Sequence, residues 1–476
     1  MRKFKVEQSR EQLSLLPASI DEYVGKEDSV RFVDSLVEEL NLESIEEQYS
    51  RFGRPAYSPK LLVKILIYGK LRGIRSSREL SRATKENIRF IFLCSNERPD
   101  FRTISDFRKR FHKELSGLLG QTIRIGLEEG LITLEDVAID GTKLRASAAS
   151  KSFSTPEHLE KLLHQLEESF QQDIENDRSE EEKGNDDDPS LPPELQDKKA
   201  LRDKIRTALQ HYQSIDKEKP KQISVTDPEC RFAKALGQQI LPVYNGQAAV
   251  DAKSRMVVAG YLTNAVSDNA ELVPVLEQIE ENTGRNPERI CADKGYSQGI
   301  GFHELIRRKI DGYIPLREGF TSSKQTKTLR HRDFFYYPKK DVVVCPQREK
   351  LTFEKYEVNF QARKRMMSVY SSPACQNCLI KDTCPRDESY FQYEMSTRIY
   401  RWHATALHEK TSSPTGVVMR RLRSSVVEPV FGHLKAARNL RQCLFRGMKM
   451  LDSMWKLELA AYNFEKLIRH RMSFQT

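Results

Sequence analysis

The sequence predicts an α/β protein with an all-helical amino-terminal domain, an α/β core, a charged helical insertion and a cysteine-containing, β-rich insertion. Three observations predict it. Helix-start signals with apolar residues at helical spacing dominate the first 135 residues. From Val137 the pattern turns to short apolar runs that end in acids, alternating with helical stretches. Residues 151–200 hold 15 acids against 6 bases, and four of the eight cysteines fall between Cys345 and Cys384. A chain of 476 residues exceeds one simple core, so two or three domains with insertions are expected.

The helical domain is read over residues 1–135. Ser58-Pro59 supplies a capping hydroxyl and a proline suited to the first helical position, with Leu61, Leu62, Ile65 and Leu66 following at helical spacing. Ser76-Ser77-Arg78-Glu79 reads as a second start and Thr103-Ile104-Ser105-Asp106 as a third. On the third helix Phe107, Phe111 and Leu115 share a face, leaving Arg108, Lys109 and Arg110 elsewhere. Such a helix suits either a helix-turn-helix DNA reader or an ordinary bundle with arginines in water.

The core is read over 136–150 and 226–317. Val137-Ala138-Ile139-Asp140 forms the first strand. Gln247–Val250 and Met256–Leu262 flank a polar turn at Ala252–Arg255 and read as a hairpin. Asp268-Asn269-Ala270-Glu271 reads as a capping box opening a helix that turns Leu272, Val275, Leu276 and Ile279 inward. The strand Ile290-Cys291-Ala292-Asp293, a helix at His303–Lys309 and a strand at Tyr313–Leu316 complete the order expected of a ribonuclease-H-like fold. Residues 151–225 interrupt this core as a helical arm, with an acidic centre at Glu180–Asp188. Residues 318–415 form the cysteine-containing insertion, and 416–476 the carboxy-terminal helices of the core.

Three acids stand where such a sheet can use them: Asp140 and Asp293 at strand ends, Glu428 on a late helix. A strand-terminal aspartate is commonly a turn residue, so the signal lies in their joint placement. Three carboxylates suit a pair of hard cations, Mg²⁺ or Mn²⁺, about 4 Å apart, which activate an attacking oxygen and stabilise a leaving one at phosphorus. Asp251, at the end of a hairpin strand, is a weaker fourth candidate and reads better as structural support.

Charge points to a polyanionic partner. The net charge is +10, yet residues 51–100 alone carry +8 and residues 401–476 carry +9. No run approaches the roughly 20 apolar residues of a membrane helix, and no apolar signal core follows Met1–Arg10, so a cytosolic, membrane-free protein is expected. Cys345, Cys375, Cys378 and Cys384 are spaced C-x29-C-x2-C-x5-C, which suits either a structural Zn²⁺ or four reduced thiols, and His403 or His408 can replace one of them. The same region interleaves Phe334, Phe335, Tyr336 and Tyr337 with Arg330, Arg332, Lys339 and Lys340, a composition that fits nucleic-acid contact or an aromatic core.

At "RPDFRTISDFRKRF" (98–111), "VAIDGTKLRASA" (137–148), "YNGQAAVDAKSRMVV" (244–258), "ICADKGYS" (290–297), "VVEPVFGHLK" (426–435) and "LFRG" (444–447) the chain resembles the DDE transposases of bacterial insertion sequences, in the branch with a cysteine-bearing insertion before the glutamate. The resemblance implies that Asp140, Asp293 and Glu428 are the catalytic metal ligands. It implies inverted-terminal-repeat and target DNA as partners, and a homodimer acting on paired ends. Arg102, Arg108, Arg110, Arg423, Lys435 and Arg446 are the expected DNA-binding residues. The family's helix carries a tyrosine, an arginine and a lysine at offsets −7, −4 and +7 from the glutamate. Lys435 matches, whereas Arg421 and Ser424 occupy the first two places and Arg423 stands beside the second. A nuclease of the same fold, or a DNA-binding regulator descended from a transposase, remains the alternative.

Overall fold

The structure is a computed structural model describing residues 19–50, 55–181, 193–215, 219–234, 239–315, 334–337, 340–359, 365–380, 384, 390–394, 407 and 410–474. The readings at Arg330, Arg332, Lys339, His403 and His408, and most of the acidic centre 180–188, lie outside the described residues. Two compact units emerge. The smaller joins the residues up to Leu118 with those from Ala461 onward, and the larger is Leu119–Ala460.

The smaller unit is helical: α1 (Ser29–Glu38), α2 (Glu43–Glu46), α3 (Pro59–Leu71), α4 (Ser77–Glu86), α5 (Ile88–Leu93), α6 (Phe101–Arg110) and α7 (His112–Ser116). Helix α3 begins at the expected proline, and Leu62, Val63, Ile65, Leu66 and Ile67 bury its inner side. Helix α6 begins earlier than its sequence signal. Asp100, not Thr103, supplies the cap, its carboxylate accepting from the amides of Arg102 (2.7 Å) and Thr103 (2.9 Å). Phe107, Phe111 and Leu115 are all buried, although the chain breaks helical geometry at Phe111 (ψ 26°) before α7 resumes.

The larger unit is mixed α/β. Its helices and strands run α8 (Leu118–Glu128), β1 (Asp136–Arg145), β2 (Phe153–Ser154), α9 (Pro156–Glu181), α10 (Pro193–Gln213), β3 (Ile223–Ser224), β4 (Arg231–Lys234), β5 (Ile240–Asp251), β6 (Val257–Thr263), α11 (Leu272–Thr283), β7 (Arg289–Ala292), α12 (Gly299–Arg307) and β8 (Asp311–Tyr313). A second sheet follows, formed by β9 (Phe335–Tyr337), β10 (Val342–Val344), β11 (Lys350–Asn359), β12 (Arg365–Ser371) and β13 (Tyr390–Glu394). Helix α13 (Pro414–Ala436) belongs to this unit, and α14 (Met448–Ser473) lends it its first half.

The main sheet has the order β4-β5-β1-β7-β8, with β6 also paired to β5. Strands β5 and β6 run antiparallel to their neighbours, whereas β7 runs parallel to β1 and β8 parallel to β7. This is the succession of strand, hairpin, helix, strand, helix, strand that the sequence led us to expect. Strand β5 is longer than its apolar run, because Asn245 and Gln247 interrupt the pattern while remaining 1% and 0% exposed. Helix α12 starts and stops before the expected His303–Lys309, since Lys309 adopts a left-handed φ of 57° that ends it, and β8 ends correspondingly early. Tight packing fixes the sheet against α14: a Cβ on Gly246 would meet the Trp455 ring at 2.9 Å. Gly246→Val is therefore expected to lower stability by about 1–3 kcal/mol, measured by denaturant unfolding.

The charged insertion folds as a hairpin of α9 on α10. Leu159, Ile205, Leu209 and Ile223 form its buried centre, with Leu162, Leu163, Leu166 and Tyr212 packed around it. The short β2–β3 ladder and the Ser152–Ser224 hydroxyl contact (2.9 Å) close its base. The second sheet is an antiparallel meander in the order β13-β12-β11-β10-β9, so the expected β-rich character is present. Among the described residues no helix is long and apolar enough to cross a membrane.

Candidate active site

The apolar run of β7 ends just before Asp293, whereas β1 runs on past Asp140 to Arg145 because residues 141–145 keep their pairing with β5, so Asp140 stands mid-strand and not at the strand end expected from the sequence. Parallel pairing sets Ile139 opposite Ala292, so the next residues, Asp140 within β1 and Asp293 just past the end of β7, are neighbours. Asp140 is largely buried, accepting from its own neighbour Gly141 N (2.8 Å) and from Arg423 Nη1. Burial raises its pKa to about 6, opposed by the Arg423 guanidinium and reinforced by the charges of Asp293 and Asp268. Asp293 also caps a short 3-10 turn, accepting from Gly295 N at 2.6 Å.

Helix α13 packs across β1 and β7 and brings Arg423, Glu428 and Lys435 to this edge. Pro429 removes the amide that would bond the Ser425 carbonyl, and Arg255 Nη1 donates to that carbonyl instead, at 2.8 Å. Glu428, one residue before the proline, is 60% exposed and meets Arg423 Nη2 at 3.4 Å. One guanidinium thus bridges Asp140 and Glu428. Lys435 is half-buried, and burial lowers its pKa against the pull of Asp140. As the chain stands, no three His, Cys, Asp or Glu side chains among the described residues form a metal-holding group. The donor set still fits a hard cation, since two carboxylates meet at a partly desolvated edge with only a displaceable guanidinium between Asp140 and the third acid.

Sequence reasoning missed a polar group beneath these acids. Asp268 does not cap α11; its Oδ1 accepts from Asn245 Nδ2 (2.6 Å) and Gln247 Nε2 (2.8 Å), and Lys143 Nζ lies 4.0 Å away. Glu271 accepts instead from Tyr261 OH at 2.6 Å, and Tyr296 OH donates to Gln247 Oε1. The available signal was a pair of amides two residues apart inside an otherwise apolar strand. Asp251 is wholly buried and accepts from Leu134 N (2.9 Å), Ser254 N (2.9 Å) and Ser254 Oγ (2.7 Å), which makes it a brace for two turns.

The expected DNA-binding arginines divide. Arg108 is a correction: it is 7% exposed and donates to Arg75 O and Ser77 Oγ, so its charge serves the helical packing and is not presented to a phosphate. Arg110 is exposed but stacks on Tyr49 and Phe111 while donating to Gln48 O. Arg102 is exposed beside the Phe101 ring, and Arg446 donates its Nε to Ser147 O. In the second sheet, Cys345, Cys375, Cys378 and Cys384 line one cavity of about 20 Å³ with Phe334 and Leu351. The fold brings these four thiols together without forming a metal-holding group.

Two family models match parts of the chain. Residues 18–110 match the family described as "Transposase domain (DUF772)", and residues 344–468 match "Transposase DDE domain". Two separate segments of the chain are thus each similar to a transposase family. The second match includes the four clustered cysteines, strands β11–β13, Glu428 and Lys435. No curated protein matches the chain. Among solved structures, a piggyBac transposase synaptic complex with hairpin DNA aligns over 94% of this chain and 84% of that one, with 10% identity and a TM-score of 0.23. That likeness is too slight to carry an argument.

Proposed function

We propose that this chain is a DNA transposase with a ribonuclease-H-like core, acting on the inverted terminal repeats of a mobile element. Asp140, Asp293 and Glu428 are its cation ligands. The observation that carries the reading is the adjacency of Asp140 and Asp293 on neighbouring parallel strands, with α13 and its Glu428 packed over the same edge. Bound Mg²⁺ or Mn²⁺ supplies activation of the attacking oxygen and stabilisation of the leaving one.

The chain's own residues position the DNA. With cations held by Asp140, Asp293 and Glu428, Arg423 would be free to contact a backbone phosphate, and Lys435, two turns beyond Glu428, would hold a second. Water attacks phosphorus at the element end, the P–O3′ bond breaks, and the element keeps a free 3′-hydroxyl. That hydroxyl then attacks a target phosphodiester and displaces its O3′. Arg102, Arg110 and the helical unit contribute phosphate contacts, Arg446 supports the DNA face of the core, and two copies act on paired ends. The four cysteines would hold a structural Zn²⁺ with their thiols deprotonated, a role supported by their convergence on one cavity.

The test is cleavage and joining of labelled terminal-repeat DNA with Mg²⁺ or Mn²⁺. Nicking at the repeat end followed by joining to target, both lost in Asp293→Asn and Glu428→Gln, is the expected result. Cleavage that never proceeds to joining would replace the reading with a nuclease. Sequence-specific binding without any cation-dependent chemistry would replace it with a regulator.

A further inference from the structure

Asp268 stands closer to the candidate centre than its place in the sequence suggests. Two amides from β5 hold its Oδ1, while the described residues send its Oδ2 no hydrogen bond. Both glycines beside the candidate ligands make room for it. A Cβ on Gly295 would lie 2.6 Å from Asp293 Oδ1 and 3.4 Å from Asp268 Oδ2, so the two carboxylates share the space which that glycine leaves open. A Cβ on Gly141, next to Asp140, would lie 2.7 Å from Asp268 Oδ1 and 3.1 Å from Asn245 Oδ1.

One polar atom at this spot lacks a hydrogen-bond partner among the described residues. Asn245 is 1% exposed and its Oδ1 accepts no hydrogen bond, while the Lys143 ammonium opposite it on β1 donates none and is held by its ion pair with Asp268 Oδ1 at 4.0 Å. An orphaned oxygen and an ammonium pressed among carboxylates are what a cation site looks like when a lysine supplies the positive charge. Glu428 is different: it is mostly exposed, and its ion-pair partner is Arg423.

We propose that Asp268 is a third carboxylate of the inner cation-binding group, with Asp140 and Asp293, and that in the DNA-free protein these three, not Glu428, set divalent-cation affinity. The inference rests on the reading of Asp140 and Asp293 as cation ligands. Lys143 is the resident charge with which the incoming cation competes.

Calorimetric titration of the full chain with Mn²⁺, without DNA, tests this. Asp268→Asn keeps the shape and can still accept from both amides, so folding, checked by circular dichroism, should survive. It should weaken Mn²⁺ binding by at least about tenfold, as loss of a group beside a metal typically does, whereas Glu428→Gln should change it by less than about twofold. Wild-type affinity in Asp268→Asn, with binding lost in Asp140→Asn and Asp293→Asn, would overturn the inference and leave the proposed function standing. Equal weakening in Glu428→Gln and Asp268→Asn would overturn the claimed division between them. A wild-type chain that binds no Mn²⁺ would sink both this inference and the cation-dependent reading beneath it. Should Asp268→Asn fail to fold, Lys143→Met carries the test: affinity should tighten by about threefold once the competing charge is gone, and unchanged or weaker binding would count against the proposal.

Discussion

Asp140→Asn should abolish cation-dependent strand cleavage, by at least about 10³-fold or ~4 kcal/mol in the barrier, while making the protein harder to unfold. The two effects share a cause. Burial and the neighbouring acids raise the Asp140 pKa from 3.8 to about 6, so the folded state binds this proton more tightly than the unfolded chain does. Stability linked to that group is complete below the unfolded pKa and is lost as pH rises through about 6, a cost of about 3 kcal/mol at neutral pH. Asparagine escapes it but leaves Arg423 with only the exposed Glu428 as a carboxylate partner, so a net gain of about 1–2 kcal/mol above pH 7, fading towards pH 4, is expected. Paired denaturant melts at pH 4 and pH 7.5, set beside the cleavage assay, measure both. A variant that cleaves DNA normally, or is less stable than wild type at pH 7.5, would remove Asp140 from the place given to it.

Asp251→Ala should act oppositely, on folding first. The carboxylate sits wholly inside and satisfies the amides of Leu134 and Ser254 together with the Ser254 hydroxyl. Removing it orphans buried donors in two turns at once, at about 3–5 kcal/mol. Asp251→Asn, which retains an acceptor oxygen, should lose about half as much. Thermal unfolding of the two variants distinguishes a brace from a ligand. If Asp251→Ala melts like wild type but no longer binds Mn²⁺, the brace reading is wrong.

The sequence was legible where one residue's role is set by its own neighbours. Val137-Ala138-Ile139 and Ile290-Cys291-Ala292 announce buried strands, and the pairing agrees, but only β7 ends at its acid; β1 continues past Asp140 to Arg145 on residues whose partners lie in β5. Ser58-Pro59 announces α3 correctly even though the Ser58 side chain makes no capping bond. It was not legible where a side chain's best partner lies on another strand. Asp268 has the chemistry of a helix cap, but the amides of Asn245 and Gln247 serve its carboxylate, and only the β5–β6 pairing brings them together. Arg108 and Arg102 are alike in sequence as candidate phosphate contacts. Only packing separates them, burying one under Arg75 and leaving the other in water.

The helical hairpin inserted between β1 and β5 has a consequence for how the protein reaches its native state. Those two strands lie side by side in the centre of the sheet, yet the whole insertion separates them along the chain. Closing so long a loop in one step is slow and entropically unfavourable. The β2–β3 clip and the serine contact at its base offer a shorter route, because once α9 has zipped onto α10 the two ends emerge together. Formation of the hairpin, a local event, would then precede and set the pace for assembly of the central sheet. The strand that carries Asp140 then meets its partner β5 only after the segment between them has folded.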